Sequence, residues 1–104
     1  MNVLFVCNQG ENRSRTGAEL LAEQGQDTRY AGIYSDTMPV TRELLAWADK
    51  IIVFEQNHVD HIKAHWPELA WEKPIFNLEI PDRYCYGSTE MRRLIGKRMR
   101  ERFE

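Results

Sequence analysis

The chain has 104 residues, 42% of them hydrophobic and 29% charged, and its 14 basic and 16 acidic residues leave a formal charge of −2. That length corresponds to one domain, residues 1–104, and the composition is too apolar for a disordered segment. The weak negative charge excludes a polybasic nucleic-acid coat, and no apolar run approaches the roughly 18 residues of a membrane span. Val3-Leu4-Phe5-Val6 is a continuous apolar run, as in a strand covered on both faces, and is too short for a signal peptide. Residues 14–24 have helical spacing, with Ala18, Leu21 and Ala22 on one face and Gly25 as a stop. Residues 29–34 form a weaker strand pattern. Thr41 can cap a helix reaching about Asp49. Ile51-Ile52-Val53-Phe54 is the clearest strand. Residues 56–66 are helical, and Pro67 is expected to end them. Residues 74–78 form a short fourth strand and 81–87 a loop. From Ser88 onward, Met91, Leu94, Ile95, Met99 and Phe103 recur at helical spacing.

Strand and helix thus alternate four times. Such alternation predicts an α/β three-layer sandwich, a four-stranded parallel sheet with helices on both faces. Ligands of such folds bind outside the carboxyl ends of the strands. The segments expected there are 7–13, 35–40, 55–57 and 79–87.

The first reads Cys7-Asn8-Gln9-Gly10-Glu11-Asn12-Arg13-Ser14, between a strand and a helix. A tight loop in that place turns successive backbone N–H groups inward as an anion nest, and the helix N-terminus adds its positive end. Both favour the thiolate of a cysteine at the loop's start. Arg13 can grip two phosphate oxygens with its planar fork, and Ser14 can donate to the sulfur. Residues Asn8 to Ser14 would form the phosphate cradle. The plain alternative is a buried cysteine ending a strand beside an arginine that happens to start a helix. The position of the motif between the first strand and its helix favours the chemistry of a thiol attacking a phosphate ester.

With these residues in view, the chain resembles the low-molecular-weight protein tyrosine phosphatase family, and within it a short bacterial branch of predicted phosphatases. Val3 to Cys7, Arg13-Ser14 and Ala18-Glu19 match the family's opening. Tyr30-Ala31-Gly32 resembles its second-strand signature. Ala48 to Phe54 resembles its third strand and the approach to it, and Ile80-Pro81-Asp82-Arg83-Tyr84 its acid-bearing loop. The resemblance implies Asp82 as the general acid that protonates the leaving group. Asp82 would then act as the base that activates water against a phosphocysteine. A turn-forming Asp after Pro81 is the alternative, and Asp36 is a second candidate acid at the same end of the sheet. Three departures stand out. Gly10 occupies the position where the family has a loop-holding Asn, so that Asn12 is expected to take over. Glu11 replaces the apolar residue of the ring slot. Arg15-Thr16 replaces a Pro, and Arg15 could offset Glu11. The implied activity is hydrolysis of phosphate monoesters, on a protein or small-molecule substrate, with no nucleic-acid or membrane partner. A degenerate module that holds a phosphorylated partner without turnover is the alternative.

Tyr84 is expected to wall the substrate pocket, or else Tyr84 or Tyr86 packs the loop onto the core. His58, His61 and His65 share a helix face, read as solvated and not as a metal site. Phosphate transfer through a thiolate needs no metal, and no cofactor is expected. The basic residues Arg92, Arg93, Lys97, Arg98, Arg100 and Arg102 read as a solvated face. Two cysteines cannot make a disulfide framework, which points to the reducing cytoplasm. Arsenate reductases of one type share this loop, but with Cys85 as the only further cysteine, arsenate reduction would need an external thiol. Cys85 could pair with Cys7 on oxidation, or point into the core as a small apolar residue.

Overall fold

β1, Asn2–Cys7, lies at the centre of the sheet, and its side chains alternate between two cores. In the computed structural model, which describes residues 1–103, Val3, Phe5 and Cys7 face one cluster with Ile52 and Phe54. Leu4 and Val6 face the other with Ile51 and Val53. That is the physical meaning of the unbroken apolar runs at 3–6 and 51–54: both faces of these strands are covered.

The elements follow as α1 (Arg13–Ala22), β2 (Asp27–Gly32), α2 (Arg42–Trp47), β3 (Lys50–Val53), α3 (Gln56–His65), α4 (Pro67–Glu72), β4 (Ile75–Asn77) and α5 (Thr89–Arg102). The four strands pair in parallel in the order β2-β1-β3-β4. α1 and α5 close the first core through Ala18, Leu21, Met91, Ile95 and Met99. α2, α3 and α4 close the second through Leu45, Val59, Ile62 and Leu69. This is the three-layer sandwich expected. Thr41 accepts from the Leu44 N–H at 3.1 Å and Ser88 from the Met91 N–H at 3.2 Å, so α2 and α5 start at side-chain caps. Among the described residues no helix is long and apolar enough to cross a membrane.

Two expectations need correction. β2 begins and ends two residues earlier than the pattern suggested, because all six of its residues, Asp27 to Gly32, register with β1. Pro67 ends α3 but also opens α4, where it sits at the first helical position. A proline there loses no hydrogen bond, and its fixed φ suits a helix start.

The sheet order places β2 on one side of β1 and β3 on the other. The chain therefore switches direction across the sheet at β1, and a crevice opens at its carboxyl end. Cys7 is the last residue of that strand.

Candidate active site

From Cys7 the backbone turns back sharply on itself. Gly10 has φ +71° and lies against the end of β2, where a Cβ would come within 2.8 Å of the Ala31 carbonyl carbon and the Gly32 nitrogen. A Cβ on Gly32 would in turn meet the Gln9 carbonyl carbon at 2.4 Å. The loop and the strand end approach so closely that only glycine fits on either side. This gives the Ala31-Gly32 pair its physical role, and it suits Gly10 to a position where a side chain would be strained.

The turn brings Cys7, Gly10 and Ser14 together. The buried Cys7 Sγ lies 3.0 Å from Ser14 Oγ and accepts the Gly10 N–H at 3.3 Å. The first hydrogen bond of α1 runs from the Thr16 N–H to the Asn12 carbonyl at 3.0 Å. The N–H groups of Arg13, Ser14 and Arg15 thus precede the helical ladder and are left for a ligand or water. Gln9 and Glu11 are exposed, and Asn8 and Asn12 half-buried.

Arg13 is 1% exposed. Its Nη1 donates to Glu55 Oε2 at 2.7 Å and to the Ile80 carbonyl at 2.7 Å. Glu79, just before, adopts a left-handed backbone with φ 54°, and the Ile80 N–H bonds the Phe54 carbonyl at 2.9 Å. The Nε and Nη2 atoms of Arg13 are buried without a hydrogen-bond partner. They form the side-on edge of the guanidinium, two parallel donors suited to two oxygens of one anion. Leaving such donors unpaired is costly, so the edge has the character of a binding surface and not of a packed core.

Asn8 is fixed from α3. His58 is fully buried, and its Nδ1 accepts the N–H groups of Phe54 at 3.2 Å and Glu55 at 3.0 Å. Two donors on Nδ1 leave the proton on Nε2, which donates to Asn8 Oδ1 at 2.9 Å. Burial first, then the positive charge of Arg13, lower the His58 pKa from 6.5 to about 4, so the ring is neutral. The expectation of a solvated histidine face is therefore wrong for His58, which the turn of α3 brings inward. His61 and His65 remain at the surface and stack at 4.1 Å. Glu55 and His58 were missed as site residues; the signal was a Glu-x-x-His sequence leaving a strand, with Glu55 in the segment 55–57 placed at the ligand end and His58 one residue beyond it.

The second loop, residues 81–87, comes to the same end. Asp82 is exposed, with Oδ1 3.3 Å from Asn12 Nδ2 and 3.8 Å from Arg13 Nε. Asn12 Nδ2 also donates to the Tyr84 carbonyl at 2.7 Å. Asn12 thus ties the two loops together instead of bracing its own. The Tyr84 ring is partly buried and packs against the core cluster that contains Cys7, with the Arg83 guanidinium 5.6 Å from its centre. Tyr86 donates to Glu19 Oε1 at 2.6 Å. Arg15 lies 4.6 Å from the Tyr86 ring centre and 3.4 Å from Glu19 Oε2, so it does not offset Glu11. Cys85 is exposed, which overturns its reading as a core residue. Asp36 is exposed in the segment after β2. On α5, Arg92 pairs with Glu23 at 3.0 Å and Arg102 with Glu79 at 3.1 Å, so part of the basic face is neutralised within the chain.

No protein-family model matches the chain, and no curated protein matches it. Solved structures do. The tyrosine phosphatase Wzb from Escherichia coli K30, in complex with phosphate, superposes with a TM-score of 0.79 at 18% identity, over 96% of this chain and 94% of that one. A low-molecular-weight protein tyrosine phosphatase from T. tengcongensis gives 0.76 at 16% identity, over 94% and 92%. The YwlE arginine phosphatase from Geobacillus stearothermophilus gives 0.70 at 20% identity, over 96% and 90%. At these identities the likeness is one of architecture: the chain has the low-molecular-weight phosphatase fold.

Proposed function

We propose that the protein is a cysteine-dependent phosphatase that hydrolyses phosphate monoesters through a phosphocysteine intermediate. The observation that carries this reading is the buried Nε and Nη2 edge of Arg13, without a hydrogen-bond partner, six residues from a buried cysteine whose sulfur already accepts the Gly10 N–H. In this reading the phosphoryl group rests on that edge and on the N–H groups of the loop from Asn8 to Ser14. The Cys7 thiolate attacks phosphorus, the P–S bond forms, and the bond to the leaving oxygen breaks. Asp82 delivers its proton to that oxygen. Water then attacks the phosphocysteine, giving a proton to Asp82 and releasing inorganic phosphate. Ser14 supports the departing thiolate from 3.0 Å. No step calls on a metal or cofactor. Glu55 and His58 are positioning residues, Glu55 for the guanidinium and His58 for Asn8. A thiolate nucleophile suits a reducing compartment, so the proposed location is the cytoplasm.

The fold neighbours act on more than one phosphorylated residue, tyrosine for Wzb and arginine for YwlE, so the fold leaves the leaving group open. The test uses p-nitrophenyl phosphate. Cys7→Ser should lose at least about 10⁴-fold in kcat while retaining the binding of inorganic phosphate, because the cradle remains. Turnover by this variant at the parent rate would end the thiolate mechanism. A parent protein that binds phosphate but never turns over any aryl ester would instead be a phospho-ligand binding module.

A further inference from the structure

A cavity of about 470 Å³ opens at the amino ends of the strands, the opposite end of the sheet from Cys7. It runs between the second halves of α1 and α5 and reaches Lys50, the first residue of β3. Leu21 and Met99 are its buried floor, and Leu20 and Phe103 are partly buried apolar residues of its wall. That volume lies within the roughly 300–1,000 Å³ of small-molecule sites, which combine apolar linings with a few polar groups.

The charge of the lining is one-sided. Among the described residues, Lys50 and Arg100 line the cavity and no carboxylate does. Neither cation takes part in an ion pair among those residues, although Arg92, Arg98 and Arg102 on the same helix all do. Lys50 is half-buried, with Nζ 4.8 Å from the Phe103 ring centre and 5.8 Å from that of Phe76. The ring faces hold the ammonium at the cavity without neutralising it.

Gly96 supplies an independent observation. It sits inside α5, where glycine is a much poorer helix former than alanine. Its backbone is not left-handed. Beyond the helix's own backbone, a Cβ there would meet only Arg100 Nη1, at 3.6 Å, an ordinary contact. The fold therefore does not require this glycine. Its missing side chain instead widens the cavity wall beside the Arg100 guanidinium, so that an occupant can lie against the helix backbone within reach of that group.

We propose that this cavity binds a small amphiphilic anion, an apolar chain or ring that carries one carboxylate. The carboxylate is received by Arg100 and Lys50, and the apolar body lies over Gly96 against Leu21, Met99 and Phe103. The planar fork of a guanidinium matches the two oxygens of a carboxylate, and the lysine adds a second positive charge. The site is separate from the phosphate loop, and the proposal does not depend on the phosphatase reading.

The test is isothermal titration of the full chain with octanoate and with 1-octanol, which has the same chain length and no charge. Octanoate should bind at least about tenfold tighter than octanol. Arg100→Gln and Lys50→Gln should each weaken octanoate severalfold. Arg93→Gln, which removes an exposed α5 cation outside the cavity, should change it less than about twofold. Gly96→Leu, whose side chain fills the cavity, should abolish binding. Gly96→Ala should raise the Tm of the protein alone and yet weaken octanoate, a pair of opposite shifts that a merely structural glycine would not produce. Equal binding of octanol and octanoate overturns the proposal, as does an unchanged Kd in Gly96→Leu. Equal losses in Arg93→Gln and Arg100→Gln would mean diffuse attraction to α5 and overturn it too, as would no binding of millimolar octanoate by the parent. Turnover of p-nitrophenyl phosphate by the parent reports on the phosphatase reading separately.

Discussion

The two loops that make up the site are anchored to different parts of the molecule. The phosphate loop is fixed by the sheet and by the helix that follows β3. Gly10 and Gly32 press it against β2, His58 holds Asn8, and Glu55 and Ile80 hold Arg13. The acid loop is mostly exposed, and its side-chain ties run to α1 and its cap. Asn12 holds the Tyr84 carbonyl, Glu19 holds Tyr86, and Thr16 Oγ1 accepts the Gly87 N–H at 3.1 Å. On the proposed reading the anion cradle is therefore part of the core, whereas the proton donor is carried by the surface of one helix. A cradle needs preorganised donors, and those are most rigid where they are buried. A group that gives and takes a proton needs access to water in the second step, which exposure supplies.

Removing the acid separates the two halves most sharply. Asp82→Asn should lower kcat about 10³-fold on alkyl phosphates, whose leaving oxygen must be protonated, and far less on p-nitrophenyl phosphate, whose leaving group departs as an anion. Phosphate affinity should be preserved, since the cradle does not depend on this loop. Equal losses on both substrates would take Asp82 out of the acid role.

The cradle has its own sensitivity, to protons. His58 titrates at 6.5 when unfolded and at about 4 when folded, lowered by burial and by Arg13 against the opposing pull of Glu55 and Asp82, with surface His61 adding slightly to the lowering. Between those values the unfolded chain binds the extra proton, so stability is full above about pH 6.5 and falls as the pH drops toward 4. The loss amounts to up to about 3 kcal/mol. Denaturant melts of the parent and His58→Gln across this range should differ in slope by close to one proton. Parallel slopes would mean that His58 is not held neutral by the fold.

The difference between the loops also explains what could be read from the chain. The strand–loop–helix at 2–14 is local, so the apolar run, Cys7 and the Arg13-Ser14 pair lie within a dozen residues of each other. Glu55 and His58 act on residues more than forty positions away. Their roles appear only once β3 lies beside β1, a fact of topology and not of local pattern. Helical spacing alone groups His58 with His61 and His65, yet His58, in the first turn of α3, is buried against the end of β3, whereas His65, in the last, is exposed. Pro67 reads as a stop because proline breaks helices from within, although at the first position it starts them as readily. Arg15 was matched to Glu11 by proximity in sequence, but four residues along a helix is the favoured spacing, and it pairs with Glu19.

The smallest expected effect concerns Asn12, whose side chain hydrogen-bonds across the two loops. Asn12 Nδ2 donates to Asp82 Oδ1 and to the Tyr84 carbonyl, so its amide sets where the acid sits relative to the cradle. Asn12→Ala should leave the cradle's own contacts in place, because neither Sγ of Cys7 nor the guanidinium of Arg13 bonds to it. The loss should then appear where Asp82 matters: about tenfold in kcat on alkyl phosphates, the cost of about one hydrogen bond, and little on p-nitrophenyl phosphate. A double-mutant cycle makes the assignment specific. If Asn12 acts through Asp82, Asn12→Ala added to Asp82→Asn should cost nothing further on alkyl phosphates. Full additivity of the two losses would show that Asn12 works on the phosphate loop itself, and the two halves of the site would then be one rigid unit.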